Sequence, residues 1–230
     1  MAGKSGDWVQ PIERENLSDK AYATIRDALM RGQLRPGERM RLRPLSTRFG
    51  ISLTPMREAL HRLVFERAMV LDGRGTVTVP HLTPEQLLEI RAIRMDLEGR
   101  AAAVATEKAS GTEIAELERI HSRIRDHHAA ADFESAINLN TEFHLVLCRS
   151  ARMPIIYDVV EGMWVRCGPI LSHLYDAPEP LGWNPHPHDR VIEALRNGDA
   201  NAAREAIQFD IEAGGKGLLD YAKDAPHKHG

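Results

Sequence analysis

Pro44-Leu45-Ser46-Thr47-Arg48-Phe49-Gly50-Ile51-Ser52-Leu53-Thr54-Pro55-Met56-Arg57-Glu58-Ala59-Leu60 reads as two short helices joined by a glycine turn. Proline suits a first helical turn, where its missing N–H is not needed, so Pro44 and Pro55 each mark a helix start. Leu45 and Phe49 turn inward on the first helix, and Gly50 ends it. Ser52 opens the second helix, and Met56, Leu60, Leu63 and Val64 carry its apolar stripe. Helix, tight turn, helix is the helix-turn-helix pattern. The second helix then offers Thr54, Arg57, His61 and Arg62 on an outward face.

Working outward, Ser18 reads as the cap of an earlier helix, with Ala21, Tyr22, Ile25, Leu29 and Met30 at helical spacing. Gly32 ends that helix, and Arg35-Pro36-Gly37 forms a turn. On the other side the period changes. Met69-Val70-Leu71 and Thr76-Val77-Thr78-Val79 flank Asp72-Gly73-Arg74-Gly75, which predicts a hairpin with Arg74 at its tip. Helices followed by a hairpin make a winged helix, expected over residues 17–80. Residues 1–16 lack periodicity and are expected to be a flexible arm.

Beyond Pro80, Thr83-Pro84-Glu85-Gln86 has the form of a capping box. From there to about residue 222 no strand signal occurs. Six helices are expected, near 84–108, 111–130, 132–150, 153–175, 188–197 and 199–222. The stretch 176–187 holds four prolines and reads as a loop. The expected fold is therefore mainly α: a winged helix-turn-helix with a small β-hairpin wing, then an all-α helical bundle over 81–222. A flexible tail is expected over 223–230.

The 230 residues can bury a core without staples, with 43% apolar and 27% charged residues. No apolar run approaches the roughly 18 residues of a membrane helix, and the start of the chain lacks the pattern of a signal peptide. The two cysteines, Cys148 and Cys167, sit in apolar helical surroundings. They read as buried free thiols, which fits a reducing cytoplasm. The net charge of −3 hides an asymmetry: residues 1–80 hold 14 Lys+Arg against 9 Asp+Glu, the rest 16 against 24. A basic N-terminal part fits a polyanionic partner.

The run Leu34-Arg35-Pro36-Gly37-Glu38, the run Gly50 to Leu60 and the ending Gly73-Arg74-Gly75 together resemble the GntR family of bacterial regulators. The helical half resembles the FCD ligand-binding domain of its FadR subfamily, through Arg94 and Glu98, Asn140-Thr141-Glu142-Phe143-His144, and His188-Asp189-Arg190-Val191-Ile192 leading to Gly198-Asp199. The resemblance covers roughly residues 17–215. It implies a non-enzymatic transcriptional regulator, a repressor or activator. Its partners would be a double-stranded DNA operator and a small-molecule carboxylate effector, and it would work as a cytoplasmic homodimer.

The resemblance also assigns residues. Arg57 would contact bases or phosphates in the major groove, or else be a solvated helix arginine. His61 lies one turn further on the same face, and Arg43 opens the preceding helix where the family also uses arginine. Ser52 and Thr54 would hold phosphates, though Ser52 serves equally as a cap. Arg74 and Gly75 would set the wing against the minor groove, or form a plain turn. Two departures stand out. Leu53 replaces the usual arginine, which points to a different operator, and Arg67 stands where relatives often have glycine.

In the helical half, the resemblance implies a divalent metal on Asn140, His144, His188 and Asp210, the last replacing a histidine. Zinc, nickel, manganese or iron would all suit such a set, and an ion-free polar pocket is the alternative. Arg94 would fork onto a carboxylate effector, or simply pair with Glu98. Trp164 and Arg166 would line the cavity, or serve packing and surface charge. His121, His127, His128, His173 and His186 show no ligand pattern, and His127-His128 reads as a solvated face. A metal-dependent enzyme built on His144, His188 and Asp210 is the competing reading, which leaves residues 17–80 without a purpose. A helical interaction module without a ligand is a third.

Overall fold

A computed structural model of the chain describes residues 17–174 and 186–224. The expected arm over 1–16, the proline-rich loop apart from its last two residues, and the tail from 225 on lie outside the described residues.

Helix α1 (Leu17–Met30) buries Ala21, Ile25 and Leu29, each four residues apart. It already includes Leu17, so Ser18 lies within its first turn rather than ahead of it. Helix α2 (Leu42–Phe49) stops at Gly50, whose φ of 66° is a left-handed conformation that glycine adopts without a Cβ clash. Helix α3 (Leu53–Phe65) buries Met56, Ala59, Leu60 and Leu63. Strands β2 (Val70–Leu71) and β3 (Val77–Thr78) form the wing. The wing turn is tied by the Asp72 carboxylate, which accepts from the amides of Arg74 and Thr76. A further strand, β1 (Arg39–Met40), pairs antiparallel with β3, giving the sheet order β1-β3-β2. Two residues are too few to show alternation, so this strand was invisible to periodicity.

The bundle starts at α4 (Pro84–Lys108), whose Thr83–Gln86 capping box is present in both directions. Helices α5 (Gly111–Ala129), α6 (Phe133–Ser150) and α7 (Pro154–Leu171) follow, with a 3-10 turn over Ser172–Leu174. Then come α8 (Pro187–Asn197), α9 (Ala200–Gly214) and α10 (Lys216–Asp224). The expected single helix over 199–222 is thus two, and Asp210 lies on the penultimate one. Gly214 and Gly215 sit at the break, and glycine is a poor helix former.

Two hydrophobic cores result. One lies under the winged helix, around Leu29, Met56, Leu60, Leu63 and Val79. The other fills the bundle, around Leu117, Phe143, Leu147, Trp164 and Ile207. Helix α7 belongs to both, because Val165 packs into the first core and Trp164 and Cys167 into the second. Across this seam Arg26 pairs with Glu161 at 2.7 Å. At Gly168 the two backbones touch: a Cβ there would sit 2.2 Å from the Leu29 carbonyl oxygen. Both cysteines are buried and unbridged. No described helix is long and apolar enough to cross a membrane.

Candidate functional site

Two surfaces stand out. On the winged helix, Thr54, Arg57 and His61 lie on one exposed face of α3 at spacings of three and four. Arg43 is exposed in the first turn of α2, and Arg74 and Gly75 are exposed at the wing tip. No described ion pair uses Arg43, Arg57 or Arg74. Ser52 occupies the N-cap position of α3, but its hydroxyl makes no cap hydrogen bond. Leu53 is 39% exposed, a large apolar side chain at the start of this face. Arg62 is exposed as expected, and its guanidinium stacks on Tyr22 at 3.7 Å and pairs with Asp19 and Glu66.

The bundle encloses a cavity of about 190 Å³, walled by α4, α5, α6, α7, α9 and α10, with His186 from the start of α8. Its polar lining comprises Arg91, Arg94, His128, Asn140, His144, His186 and Asp210, with Trp164 on the apolar side. A buried charge relay runs along one wall. Arg94 Nε donates to Glu98 at 2.6 Å, and the guanidinium stacks on Trp164 at 3.6 Å. His144 Nδ1 donates to the second oxygen of Glu98 at 2.6 Å, and its Nε2 to Asp210 at 2.9 Å. Asp210 in turn lies 3.6 Å from His188 Nε2.

The sign of each group follows from these partners. Burial works against an ionised Glu98, but Arg94 and His144 hold its carboxyl below the usual range. Burial likewise opposes a charged His144, yet Glu98 and Asp210 hold it above the ordinary histidine value. Asp210 stays well below the normal carboxylate range against its burial, through His188 and His144. With both ring nitrogens facing carboxylates, His144 favours the imidazolium form, and a metal ion would take the place of the proton on its Nε2. Arg94, Glu98, His144 and Asp210 therefore alternate in charge and balance.

Sequence expectations meet this geometry unevenly. Arg94, Asn140, His144, Trp164 and Asp210 all line the cavity, whereas His188 lies behind it. Arg166 does not reach it. Two residues along a helix turn a side chain through about 200°, so with Trp164 facing the cavity Arg166 faces the winged helix. There its Nη2 donates to the Glu66 carbonyl at the end of α3. His127 and His128 are only half exposed, and His128 lines the cavity rather than a solvated face. Arg91, three residues before Arg94, was missed although its spacing places it on the same face.

The donor set fits a divalent metal. His144, His188 and Asp210 offer ligand atoms all within 4.8 Å of one another. Glu98 behind His144 is the carboxylate that commonly orients a metal-bound imidazole. His121 and His186 also belong to a histidine cluster with His188, against the expectation that they had no ligand pattern. Burial and the neighbouring His188 push His121 down to about 4 and His186 to about 3, so both rings are neutral near pH 7.

A basic, exposed helix joined to an all-helical bundle whose largely apolar cavity carries a few charged and polar groups is the plan of a two-part transcriptional regulator. The chain belongs to the GntR family of bacterial regulators, in the branch that carries an FCD domain. The pattern of "Bacterial regulatory proteins, gntR family" matches residues 17–79, and that of the FCD domain residues 89–213. It is 34% identical to the HTH-type transcriptional regulator McbR of Escherichia coli (strain K12), over 85% of this chain and 90% of that one. The solved structure of E. coli McbR/YncC superimposes with a TM-score of 0.84 at 31% identity, covering 90% of this chain and 99% of that one. A GntR regulator from Rhodococcus sp. RHA1 has the same fold, with a TM-score of 0.73 at 21% identity, over 88% and 97% of the two chains.

Proposed function

We propose that this regulator binds operator DNA as a homodimer and releases or grips it in response to a small carboxylate, an organic or sugar acid, held in the bundle cavity. The observation that carries this reading is Arg94. Its Nε is spent on Glu98 and its face on Trp164, so the guanidinium is fixed in the cavity wall. A fixed fork of N–H donors suits a carboxylate, and Arg91 adds a second cation to the same wall. The cavity is smaller than the roughly 300–1,000 Å³ of drug-sized clefts, which favours a compact metabolite.

Asn140, His144, His188 and Asp210 would hold a divalent metal at the cavity floor. The ion would supply positive charge and open coordination positions for the effector's oxygens. On the DNA side, Arg57 and His61 enter the major groove, Arg43, Ser52 and Thr54 meet phosphates, and Arg74 with Gly75 approaches the minor groove. Leu53 replaces a hydrogen-bond donor with an apolar contact, suited to a thymine methyl. Two winged helices related by a two-fold axis read two half-sites.

A gel-shift assay with the protein's own promoter region, repeated with a panel of carboxylic acids, tests this reading. Arg57→Ala should weaken operator binding by about tenfold or more. Arg94→Ala, in protein that still folds and binds the operator, should abolish the response to the acid. A folded dimer that ignores the promoter at low salt, or a response that survives Arg94→Ala, refutes it.

A further inference from the structure

Behind the cavity wall, His121 projects from the middle of α5 towards the first residues of α8, His186 and His188. The three rings form a close triangle, with centroids 4.9 Å apart for His121–His186, 5.3 Å for His121–His188 and 4.4 Å for His186–His188. Each offers a ligand nitrogen within 4.8 Å of the other two. His121 is 2% exposed and His188 fully buried, and neither ring nitrogen of either residue makes a hydrogen bond. His121 Nε2 comes within 3.0 Å of Asp189 Oδ1, out of line for such a bond. His188 Nε2 is 3.6 Å from Asp210, too far for one.

Buried polar nitrogens are costly unless satisfied. One nitrogen of each ring lies within 4.8 Å of one from each of the other two, and nitrogens grouped so closely between two helices call for a shared partner. The ring of His188 is held in place by Phe143, stacked at 3.7 Å and nearly parallel, so the triangle does not depend on a flexible side chain. His186 Nδ1 accepts from the His188 amide as the cap of α8, which fixes that ring beside the others.

We propose that His121, His186 and His188 form a trihistidine site for a borderline divalent metal such as zinc, cobalt, nickel or copper. Three imidazoles select such ions over calcium or magnesium, which prefer oxygen donors. Asp189 beside His121 provides the carboxylate that orients a metal-bound imidazole. The site differs from the carboxylate-bearing set of the proposed function, although the two share His188, so an ion at one draws a ligand from the other. Because His186 also lines the cavity, the trihistidine ion sits next to the place where an effector would lie.

The full chain, stripped with a chelator, is titrated with cobalt(II) while visible d–d absorption and calorimetric stoichiometry are followed. Wild-type protein should bind cobalt with a spectrum of nitrogen-rich coordination. His186→Asn keeps a residue able to cap α8 and removes one ligand. His121→Asn removes another. Each should weaken cobalt affinity about tenfold or more and change the spectrum. If His121→Asn fails to fold, His186→Asn decides alone. Wild-type affinity and spectrum in the folded variants, or no cobalt bound by the wild-type chain, overturn the site. The operator gel-shift reads the regulator proposal separately, so failure of one leaves the other standing.

Discussion

Arg67 shows what a single residue position can conceal. Its φ is 58°, a left-handed conformation between α3 and the wing, and such a backbone costs a residue with a Cβ about 1–2 kcal/mol. The sequence marked this position only as an arginine where relatives often have glycine. Arg67→Gly removes the strain, partly offset by about 0.5–1 kcal/mol of extra freedom in the unfolded chain. The expected net effect is a rise in melting temperature of about 1–3 °C, read by calorimetry. A fall would mean that the exposed Arg67 side chain makes a contact worth more than the strain. The site residues divide in the same way. Asn140 and His144 stand four apart and announce a shared face. His121 and His186 stand far apart in sequence, and only the packing of α5 on α8 brings them together.

Elements are legible where a local rule fixes them. The cap of α4 is written in Thr83-Pro84-Glu85-Gln86, and the stop of α2 in Gly50. The end of α9 is less so, because its apolar stripe continues past Gly215 into Leu218 and Leu219, which return to line the cavity. One element contact sets an acid limit. Glu113 caps α5 through the Ser110 amide and hydroxyl and receives Arg152 from the turn between α6 and α7. The Arg152 guanidinium first, and then the Ser110 amide, hold its carboxyl down at about 2. A carboxylate with a lowered folded-state pKa stabilises above its unfolded value, about 4.3, and loses that contribution as pH falls through 2. Urea midpoints of wild type and Arg152→Ala should therefore differ at pH 5–7 and converge as pH approaches 2. A constant difference across this range would show that Arg152 acts by packing alone.

At the scale of the molecule, the order of the two halves and their helices was legible, since each half follows its own periodicity. Their mutual packing was not. Nothing in the composition of α7 says that it serves two cores, and Arg166 was assigned to the wrong side for that reason. Glu161, Val165 and Gly168 recur at four and three residues and face α1, while Trp164, Cys167 and Leu171 recur at three and four and face the cavity. Gly168→Ala would drive a methyl group into the Leu29 carbonyl. The expected cost is about 1–3 kcal/mol of overpacking, or a winged helix that comes away from the bundle and melts in a separate calorimetric step. An unchanged single transition would mean that the seam yields freely.

The close approach at Gly168 bears on how such proteins can be recombined. Along the polypeptide, the obvious place to join the reading half of one regulator to the sensing half of another is the connection between β3 and α4. In space the joint runs elsewhere, along the line where residue 168 lies against Leu29 and Met30 and Glu161 meets Arg26. A hybrid spliced at the linker inherits two surfaces never fitted to each other. To transmit anything it must also import the matching stripe of the seventh helix, including its missing side chain.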